Sequence, residues 1–352
     1  MNPFIYLRAL KHADHTVFCV QDGQKTFFDP QFNRVVAYSS GQQVKRSILQ
    51  SLADEMGVQM APVTFNYNIN VKNGKNELEN KEPWSPCDPN YVDQLLGGWM
   101  RAGDGPTKKR RSPLSVSAMR PIHPLLAGVD KENLTFDRSD RPNLHPVNVR
   151  LGDKLLTEEE IENFLQENDR TLPRRNWIPD NVRTSGLFVY DVAIDLRTLF
   201  CVSTNQHEPE ISKEMIAQLE EKGWVKSKNV FGECLVAPKA EREKIIPALA
   251  KSLINWRITS NQARTFSLME TLAVAISDNA NTLAASIRAK LIDDGEKPKA
   301  KPIVDETAGA DLFVTLPCSS YIVTENESVD ALQKAEEKLI ELMTAFDYEN
   351  QL

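Results

Sequence analysis

The sequence lacks the features that define several large classes of protein. Among its 352 residues, the longest apolar stretches, such as GLFVYDVAIDL, are far too short to cross a membrane. The first residues, MNPFIYLRALKH, show no basic start followed by a long apolar run, so we expect no signal peptide and a cytoplasmic protein. A composition of 41% hydrophobic and 26% charged residues is that of an ordinary globular chain, with two domains or one domain with large insertions.

Motifs for catalysis and metal binding are also missing. The five cysteines stand apart from one another, and no two have the short spacing of a zinc site. The stretch GDGPTKK lacks the reach and the final GK[ST] of a phosphate-binding loop, which argues against nucleotide hydrolysis. No GxSxG or HExxH pattern occurs. We therefore expect no enzymatic activity, no metal and no cofactor.

Positive charge is scarce in the whole chain but concentrated in one stretch. A net charge of -7 argues against a small, uniformly basic nucleic-acid-binding protein. Between residues 101 and 120, however, six cations face a single acid, Asp104. The six are Arg101, Lys108, Lys109, Arg110, Arg111 and Arg120. Such segregation allows one basic face on an acidic protein.

The periodicity of apolar residues predicts an α+β fold. PFIYLRAL alternates as a strand does, and Val44, Ile48 and Leu52 lie four apart, as on the buried face of a helix. Ser39 and Ser40 precede that helix as good N-cap residues. The order strand, helix, strand, helix, strand suits a sheet of the RRM or ferredoxin-like kind with insertions. We expect Gln42, Gln43, Lys45, Arg46 and Gln50 to face outward.

The remaining elements follow from shorter patterns. We predict helices at 157–168, 211–222, 281–292 and 328–346, strands in GLFVYDVAIDL and at 312–323, a polar loop in QDGQKTFFDPQFNR, a Gly-rich basic loop in LLGGWMRAGDGPTKKRRSP, and a linker in DDGEKPKAKPIVDE.

Four loops next to these elements carry residues suited to nucleic acid. A helix start offers free amides and the positive end of a dipole to a phosphate. Glycines allow close backbone approach, and tryptophans such as Trp99 and Trp256 can stack on bases. Tryptophan is more often a core residue, and a KKRR run is more often a solvated loop. Together, the four loops favour binding of single-stranded RNA. Their residues are Ser39, Ser40, Gln42, Gln43, Lys45 and Arg46; Gly97, Gly98, Trp99, Arg101, Lys108, Lys109, Arg110, Arg111 and Arg120; Arg174 and Arg175; Asn261, Gln262 and Arg264.

Several of these stretches resemble one family, the backbone subunits of CRISPR Cascade-type effector complexes (the Cas-seven superfamily, which includes the DevR autoregulators). VVAYSSGQQVKRSI is similar to the family's strand-to-helix signature, and TSGLFVYDVAIDLRTL is similar to its central strand after the thumb. SNQARTFSLMETLAVAIS resembles its late strand, while LLGGWM and SPLSVSAMRPIHP fit its Gly-rich turn and the strand before the thumb. One departure is Gly41, which separates the two serines from Gln42 where the family usually reads Ser-Ser-Gln.

The resemblance implies an RRM-like palm with two inserted regions. The palm would comprise residues 1–56, 97–128 and 185–295, the fingers 57–96, and the thumb 129–184, followed by a C-terminal strand-helix extension at 296–352. The resemblance also implies that the helix start at Ser39–Arg46, the turn at Gly97 and Gly98, and Gln262 and Arg264 contact a guide RNA. Lys108 to Arg111 have no family counterpart and rest on charge alone.

The implied function is antiviral defence within a ribonucleoprotein complex. Copies of the chain would stack along one guide RNA (crRNA), bind its phosphates without reading sequence, and present it in segments for pairing with target DNA. Partners would be the crRNA, other copies, other CRISPR effector subunits and target DNA, or less readily target RNA, with no membrane.

Two alternatives remain open. In a type III-like relative, an aspartate in the loop after the first strand, here Asp22 or Asp29, would cleave target RNA. In the other alternative, the chain is an interaction scaffold without nucleic acid, which is consistent with its acidic net charge.

Overall fold

A computed structural model describes residues 2–18, 24–72, 75–103, 105–137, 146–173, 175–258 and 265–352. The chain divides into two compact units. The first combines Met1–Gly128 with Thr184–Leu352, and the second is Val129–Arg183.

Most α-helices of the described residues begin at a side chain that caps the first turn. The helix α3 shows a full capping box, in which Thr157 and Glu160 each accept the other's backbone amide. No helix among the described residues is long and apolar enough to span a lipid bilayer. The helices are α1 (Gly41–Met56), α2 (Val92–Gly97), α3 (Glu158–Glu167), α4 (Leu196–Leu199), α5 (Lys213–Glu221), α6 (Lys239–Asn255), α7 (Ala280–Ser286) and α8 (Ala331–Thr344).

Strands form one large sheet and several separate hairpins. They are β1 (Phe4–Thr16), β2 (Thr26–Asp29), β3 (Arg34–Ala37), β4 (Thr64–Lys72), β5 (Lys75–Trp84), β6 (Trp99–Gly103), β7 (Gly105–Arg110), β8 (Leu114–Val116), β9 (Arg120–Pro121), β10 (Ala127–Asp137), β11 (Arg150–Leu151), β12 (Lys154–Leu155), β13 (Arg175–Asp195), β14 (Cys201–Ser203), β15 (Val225–Asn229), β16 (Gly232–Val236), β17 (Thr271–Ser277), β18 (Ile287–Asp293), β19 (Lys299–Val304), β20 (Asp311–Thr315) and β21 (Glu327–Ser328).

The central sheet is mixed, and β1 lies in its middle. β1 is antiparallel to β13 on one side and to β17 on the other. β8 and β9 pair with the far edge of β13, β20 is antiparallel to β17, and β21 is parallel to β20. Along the chain, β1, α1, β8 and β9, β13, α6 and β17 give the strand and helix order of a ferredoxin-like unit. The predicted α+β class is confirmed.

Both faces of β1 are buried, because each supports its own hydrophobic cluster. Leu7 and Ala9 belong to the main cluster, together with Val44 of α1 and other residues of α1, α6 and α8. Leu10 faces the other side, where Ile287 of β18 and further residues form a second cluster. The helix α1 and the β18–β19 hairpin therefore pack on opposite faces of the sheet.

Several predicted elements differ from the observed ones. The predicted helix at 281–292 ends at Ser286 and continues as β18, because Ile287 to Asp293 pair with β19. The predicted linker contains β19, and its alternating Lys-Ala-Lys-Pro-Ile-Val sequence pairs with β18. The predicted strand at 312–323 is confined to β20, and the first polar loop contains the hairpin β2–β3.

The regions predicted as fingers and thumb contain their own secondary structure. Residues 57–96 hold the exposed hairpin β4–β5 and most of α2, whose Leu95 and Leu96 lie in the main cluster. The second unit contains α3 at the position of the predicted acidic helix, with no buried residue. The turn candidate DRSDRPN lies largely outside the described residues. A thumb role for the second unit stays a prediction.

Candidate nucleic-acid interface

The start of α1 is held tightly against the sheet. Backbone hydrogen bonds join Ser39 and Met119 in both directions, at 2.9 and 3.0 Å. Ser40 is the N-cap, and its hydroxyl accepts the amide of Gln43 at 3.4 Å. A Cβ atom on Gly41 would lie 2.7 Å from the carbonyl oxygen of Val116. The glycine that departs from the family motif is therefore the residue that lets the helix start approach the strand.

This helix start leaves two backbone donors free. The amides of Gly41 and Gln42 have no hydrogen-bond partner in the part of the chain that the structure describes. Both point from the positive end of a 16-residue helix. Gln42 and Arg46 are exposed, and Gln43 is half-buried. Arg120, the first residue of β9, is also exposed, but its register partner Val189 belongs to the second cluster, so Arg120 lies on the face of the sheet opposite α1.

Two residues predicted to contact RNA here have other surroundings. Ser39 is buried, and its hydroxyl has no partner among the described residues. Lys45 does not face outward, because its ammonium donates to the Gly97 carbonyl at 2.8 Å and to the Ser112 hydroxyl at 2.6 Å. Burial, followed by the charge of Arg110, lowers the pKa of Lys45 to about 8. The predicted outward orientation of Lys45 is wrong, because Lys45 ties α1 to the Gly97 turn, and the burial of Ser39 argues against its predicted contact with RNA.

The Gly97–Gly98 turn is shaped by contact with protein. Gly98 has a φ of 72°, and a Cβ atom there would lie 2.6 Å from the Arg110 carbonyl oxygen. At Gly97, the only neighbour that a Cβ would meet is the side chain of Leu49. The backbone at Gly98 was predicted to approach RNA closely. It instead lies close to the end of β7.

The basic run after this turn is a hairpin, β6–β7, and not a loop. Alternation along β7 turns Arg110 inward and leaves Lys109 and Arg111 exposed. The guanidinium of Arg110 donates to the carbonyls of Leu95, of Thr198 at 2.8 Å and of Cys201 at 3.0 Å. Arg110 is a structural cation of the core, which corrects its predicted role as a phosphate contact.

Burial dominates the charge pair that Arg110 forms. Its guanidinium lies 3.8 Å from the carboxylate of Glu210. Burial lowers the pKa of Arg110 and raises the pKa of Glu210, and each residue's charge opposes the shift of the other. The desolvation of both groups therefore outweighs their attraction at this distance.

The two tryptophans are core residues. Trp99 is 6% exposed, and its indole donates to the Glu210 carbonyl at 2.8 Å. Trp256 is fully buried against the ring of Tyr190, at a centroid distance of 5.0 Å. Neither ring is available to stack on a base, so the predicted stacking role of Trp99 is wrong. Nearby, Arg101 is half-buried over the ring of Trp84, at 4.6 Å from its centroid.

Exposed polar side chains beyond the hairpin line an open groove of about 960 Å³. Lys109 and Arg111 are among its lining residues, together with His207, Asn229 and Glu233. Lys108, on the inward face of β7 with Arg110, is half-buried and does not line the groove. The predicted basic stretch therefore presents two cations to the groove.

The late loop and part of the thumb cannot be placed. Arg174, Asn261, Gln262 and Arg264 lie outside the described residues. Arg175 is exposed within the second unit. These residues stay predictions.

One further residue near the site was not predicted, although the sequence contained a signal for it. Lys11 shares a strand face with Leu7 and Ala9, where a lysine is unexpected. Its buried ammonium donates to the carbonyls of Ile254 at 3.3 Å and Met269 at 3.2 Å, and to the Thr271 hydroxyl at 2.9 Å. Lys11 thus ties the end of α6 to the start of β17, on either side of the late loop.

Burial also shapes the chemistry of Lys11. Burial, then the charge of Arg257, lowers the pKa of the ammonium to about 7, and Glu270 opposes this shift. The ammonium lies 5.2 Å from the centre of the Trp256 ring.

Of the two aspartates in the cleavage alternative, Asp29 lies among the described residues. Asp22 lies outside the described residues. Asp29 ends β2, and its carboxylate accepts the amide of Phe32 at 2.9 Å in the turn to β3. This is the turn role that loop aspartates commonly have.

Comparison with known proteins gives matches among solved structures alone. No protein-family profile matches the chain, and no curated protein was found to be related to it. One similar structure is described as "CRISPR RNA-guided surveillance complex, pre-nicking", with 11% identity, a TM-score of 0.45, and coverage of 96% of this chain and 89% of the other. A second, "CRISPR RNA-guided surveillance complex", has 10% identity, a TM-score of 0.39, and coverage of 96% and 84%.

Proposed function

We propose that this chain is a CRISPR effector backbone subunit that binds the phosphates of a guide RNA without reading its sequence. The observation that carries the proposal is the start of α1. There, two free amides, the dipole of a long helix and the exposed Arg46 lie on one helix start. Backbone amides and arginines bind phosphate oxygens and leave base edges unread. This is the segment with the family's strand-to-helix signature.

The proposal assigns different roles to residues that the sequence grouped together. Arg46 and the amides of Gly41 and Gln42 contact phosphate. Arg120 lies on the other face of the sheet, and its contact with RNA stays a prediction. Lys45 and Gly98 hold the α1 start and the adjacent turn in place, and Lys11 holds the two ends of the late loop. Positioning residues of this kind keep a binding surface in one geometry.

In the proposed complex, several copies share one crRNA, with other effector subunits as partners and target DNA as the strand that pairs with the guide. Binding is proposed, and not catalysis. Cleavage of target RNA by Asp22 or Asp29 is the alternative, and the same particle tests it.

The test is co-expression of the chain with a guide transcript, followed by size exclusion with absorbance at 260 and 280 nm. We expect a large particle with RNA of one defined length. In R46Q, the particle should carry less RNA, while K244Q, which removes one exposed α6 lysine that pairs with Glu241, should assemble normally. Equal RNA loading of all three proteins would refute the assignment of the site.

The cleavage alternative uses the same particle with complementary RNA. If the wild-type particle cuts that RNA and D22N or D29N does not, the chain is a nuclease and the binding-only proposal is wrong. An intact complementary strand in these reactions supports binding alone.

A further inference from the structure

The β18–β19 hairpin has two different faces. Ile287, Ala289 and Leu291 of β18 share one face with Ala300, Pro302 and Val304 of β19. Ile287 is buried in the second cluster, and Val304 packs against it. This apolar face fixes the hairpin to the side of the sheet opposite α1.

The outward face carries the cations. Arg288 and Lys290 alternate with the apolar residues of β18, as Lys299 and Lys301 do with those of β19, and Ile303 lies opposite Arg288 on the same outward face. Lys290 lies directly opposite Lys301 on the neighbouring strand. Lys290, Lys299 and Lys301 are all exposed. Like charges placed opposite one another in a sheet are destabilising. The fold therefore carries a cost in this pair that no intramolecular contact explains.

The three lysines are not neutralised within the described chain. Lys290, Lys299 and Lys301 form no ion pair with a described residue, whereas Arg288 pairs with Asp305 at 3.0 Å and donates to the Ala285 carbonyl at 2.7 Å.

The acid opposite Lys299, Asp293 of β18, accepts a hydrogen bond from the backbone. Asp293 is the register partner of Lys299, and its carboxylate accepts the amide of Gly295 in the turn, at 3.0 Å. Asp294 and Glu296 occupy the same turn and limit the basic surface at that end.

We propose that the outward face of β18–β19 binds the phosphate backbone of double-stranded DNA, through Lys290, Lys299 and Lys301. This site is separate from the proposed guide site and does not depend on it. Exposed lysines on a rigid ribbon suit non-specific phosphate contacts.

A duplex fits this surface better than a single strand. Proteins that bind single strands combine a basic groove with aromatic side chains on which bases stack. No aromatic residue occurs between 287 and 304, and the hairpin is a ribbon without a groove. At roughly 3.3 Å per residue, the ribbon is about 20 Å long, or about half of a duplex turn.

The test measures binding of the full-length protein to a labelled random-sequence DNA duplex by fluorescence anisotropy, over a range of salt concentrations. K290Q/K299Q/K301Q should bind at least about tenfold more weakly. The plot of log affinity against log salt should be shallower by about 0.9 for each phosphate that is no longer neutralised, or by about 2 to 3. The variant with arginine at all three positions should bind as the wild type does.

A matched control uses the other exposed lysine strand. Lys226 and Lys228 on β15 are already near Glu220 and Glu233, at 3.1 and 3.9 Å. K226Q/K228Q should therefore keep both the affinity and the salt slope. Unchanged duplex binding by the triple glutamine variant would overturn the proposal.

A single-stranded RNA probe and a thermal melt separate the remaining outcomes. RNA binding by the triple variant should equal that of the wild type, and an equal decrease for RNA and duplex would overturn the choice of duplex DNA. The melting temperature should stay the same or rise, because a like-charge pair is removed. A lower melting temperature would mean that the lysines stabilise the fold, which contradicts the proposal.

Discussion

Two hairpins of this chain carry clustered cations and use them in opposite ways. In β6–β7, Arg110 points into the core and satisfies three backbone carbonyls. In β18–β19, Lys290 and Lys301 face each other on an exposed surface. From the sequence alone, the segment of β6–β7 was predicted to be a basic binding loop, and the segment that contains β19 was predicted to be a linker. The number of cations in a stretch therefore does not predict a binding surface, because the face of the strand on which each cation lies decides its role.

The strongest test of this comparison removes the inward cation. R110M should lower the free energy of unfolding by about 3–5 kcal/mol, since it leaves three carbonyls without their donor and the carboxylate of Glu210 without its neighbouring cation. Urea denaturation followed by circular dichroism measures the decrease. R111M, at the exposed neighbour, is the control and should cost less than about 0.5 kcal/mol. Equal stability of the two variants would contradict the structural role of Arg110.

Neighbouring cations on α1 give a further test. K45M should lower the free energy of unfolding by about 2 kcal/mol, because the charged hydrogen bonds to Gly97 and Ser112 are removed. R46M should leave stability within about 0.5 kcal/mol but weaken binding of single-stranded RNA, with a salt slope shallower by about 0.7. If K45M is as stable as R46M, Lys45 does not hold the helix in place.

A pH titration sharpens the comparison for Lys11. Its pKa falls from 10.5 to about 7 on folding, so between these values the unfolded chain binds more protons than the folded one. Stability from this group is therefore absent near pH 7 and increases as the pH rises toward 10.5. Between pH 7.5 and 9.5, the wild type should gain about 2 kcal/mol relative to K11M. Parallel stability curves for the two proteins would show that Lys11 does not titrate in this range.

The smallest expected effect concerns the outward lysines. K290Q should raise the free energy of unfolding by a few tenths of a kcal/mol, since it relieves the repulsion from Lys301. K226Q, which removes an exposed lysine that pairs with Glu220, should not raise it. Chemical denaturation of both variants, each with several repeats, measures this difference. A decrease in the stability of K290Q would place Lys290 among the structural cations.

Long, regular patterns allowed much of the fold to be predicted from sequence. The alternation of apolar residues around Tyr190 corresponds to β13, and the four-residue spacing of Val44, Ile48 and Leu52 corresponds to α1. All four of these side chains are buried. The stretch from Ala280 to Asp293 was predicted less well, because Leu283, Ile287 and Leu291 fit both a helix and part of a strand. Pairing with β19, which is not a local property, decided in favour of a strand for its second half.

The candidate site was less predictable than the fold. The N-cap at Ser40 followed from residue type, because a serine before an apolar stripe has a local role. Lys45 and Arg110 were predicted as exposed, since no local pattern shows which distant carbonyls lie within their reach. Lys11 had a usable signal, namely a lysine on the apolar face of a strand.

The position of Lys11 also has a consequence for engineering the protein. One ammonium group holds the carbonyls of Ile254 and Met269, so the span between them is closed by contacts outside the span itself. Closing a longer loop costs only slightly more entropy once its ends are fixed. An insertion between Arg257 and Leu268 should therefore leave the pairing of the sheet intact, although it would interrupt the stretch predicted to contact RNA through Asn261, Gln262 and Arg264. Because Lys11 fixes both ends, a change in the length of this span should have little effect on the stability of β1 and β17.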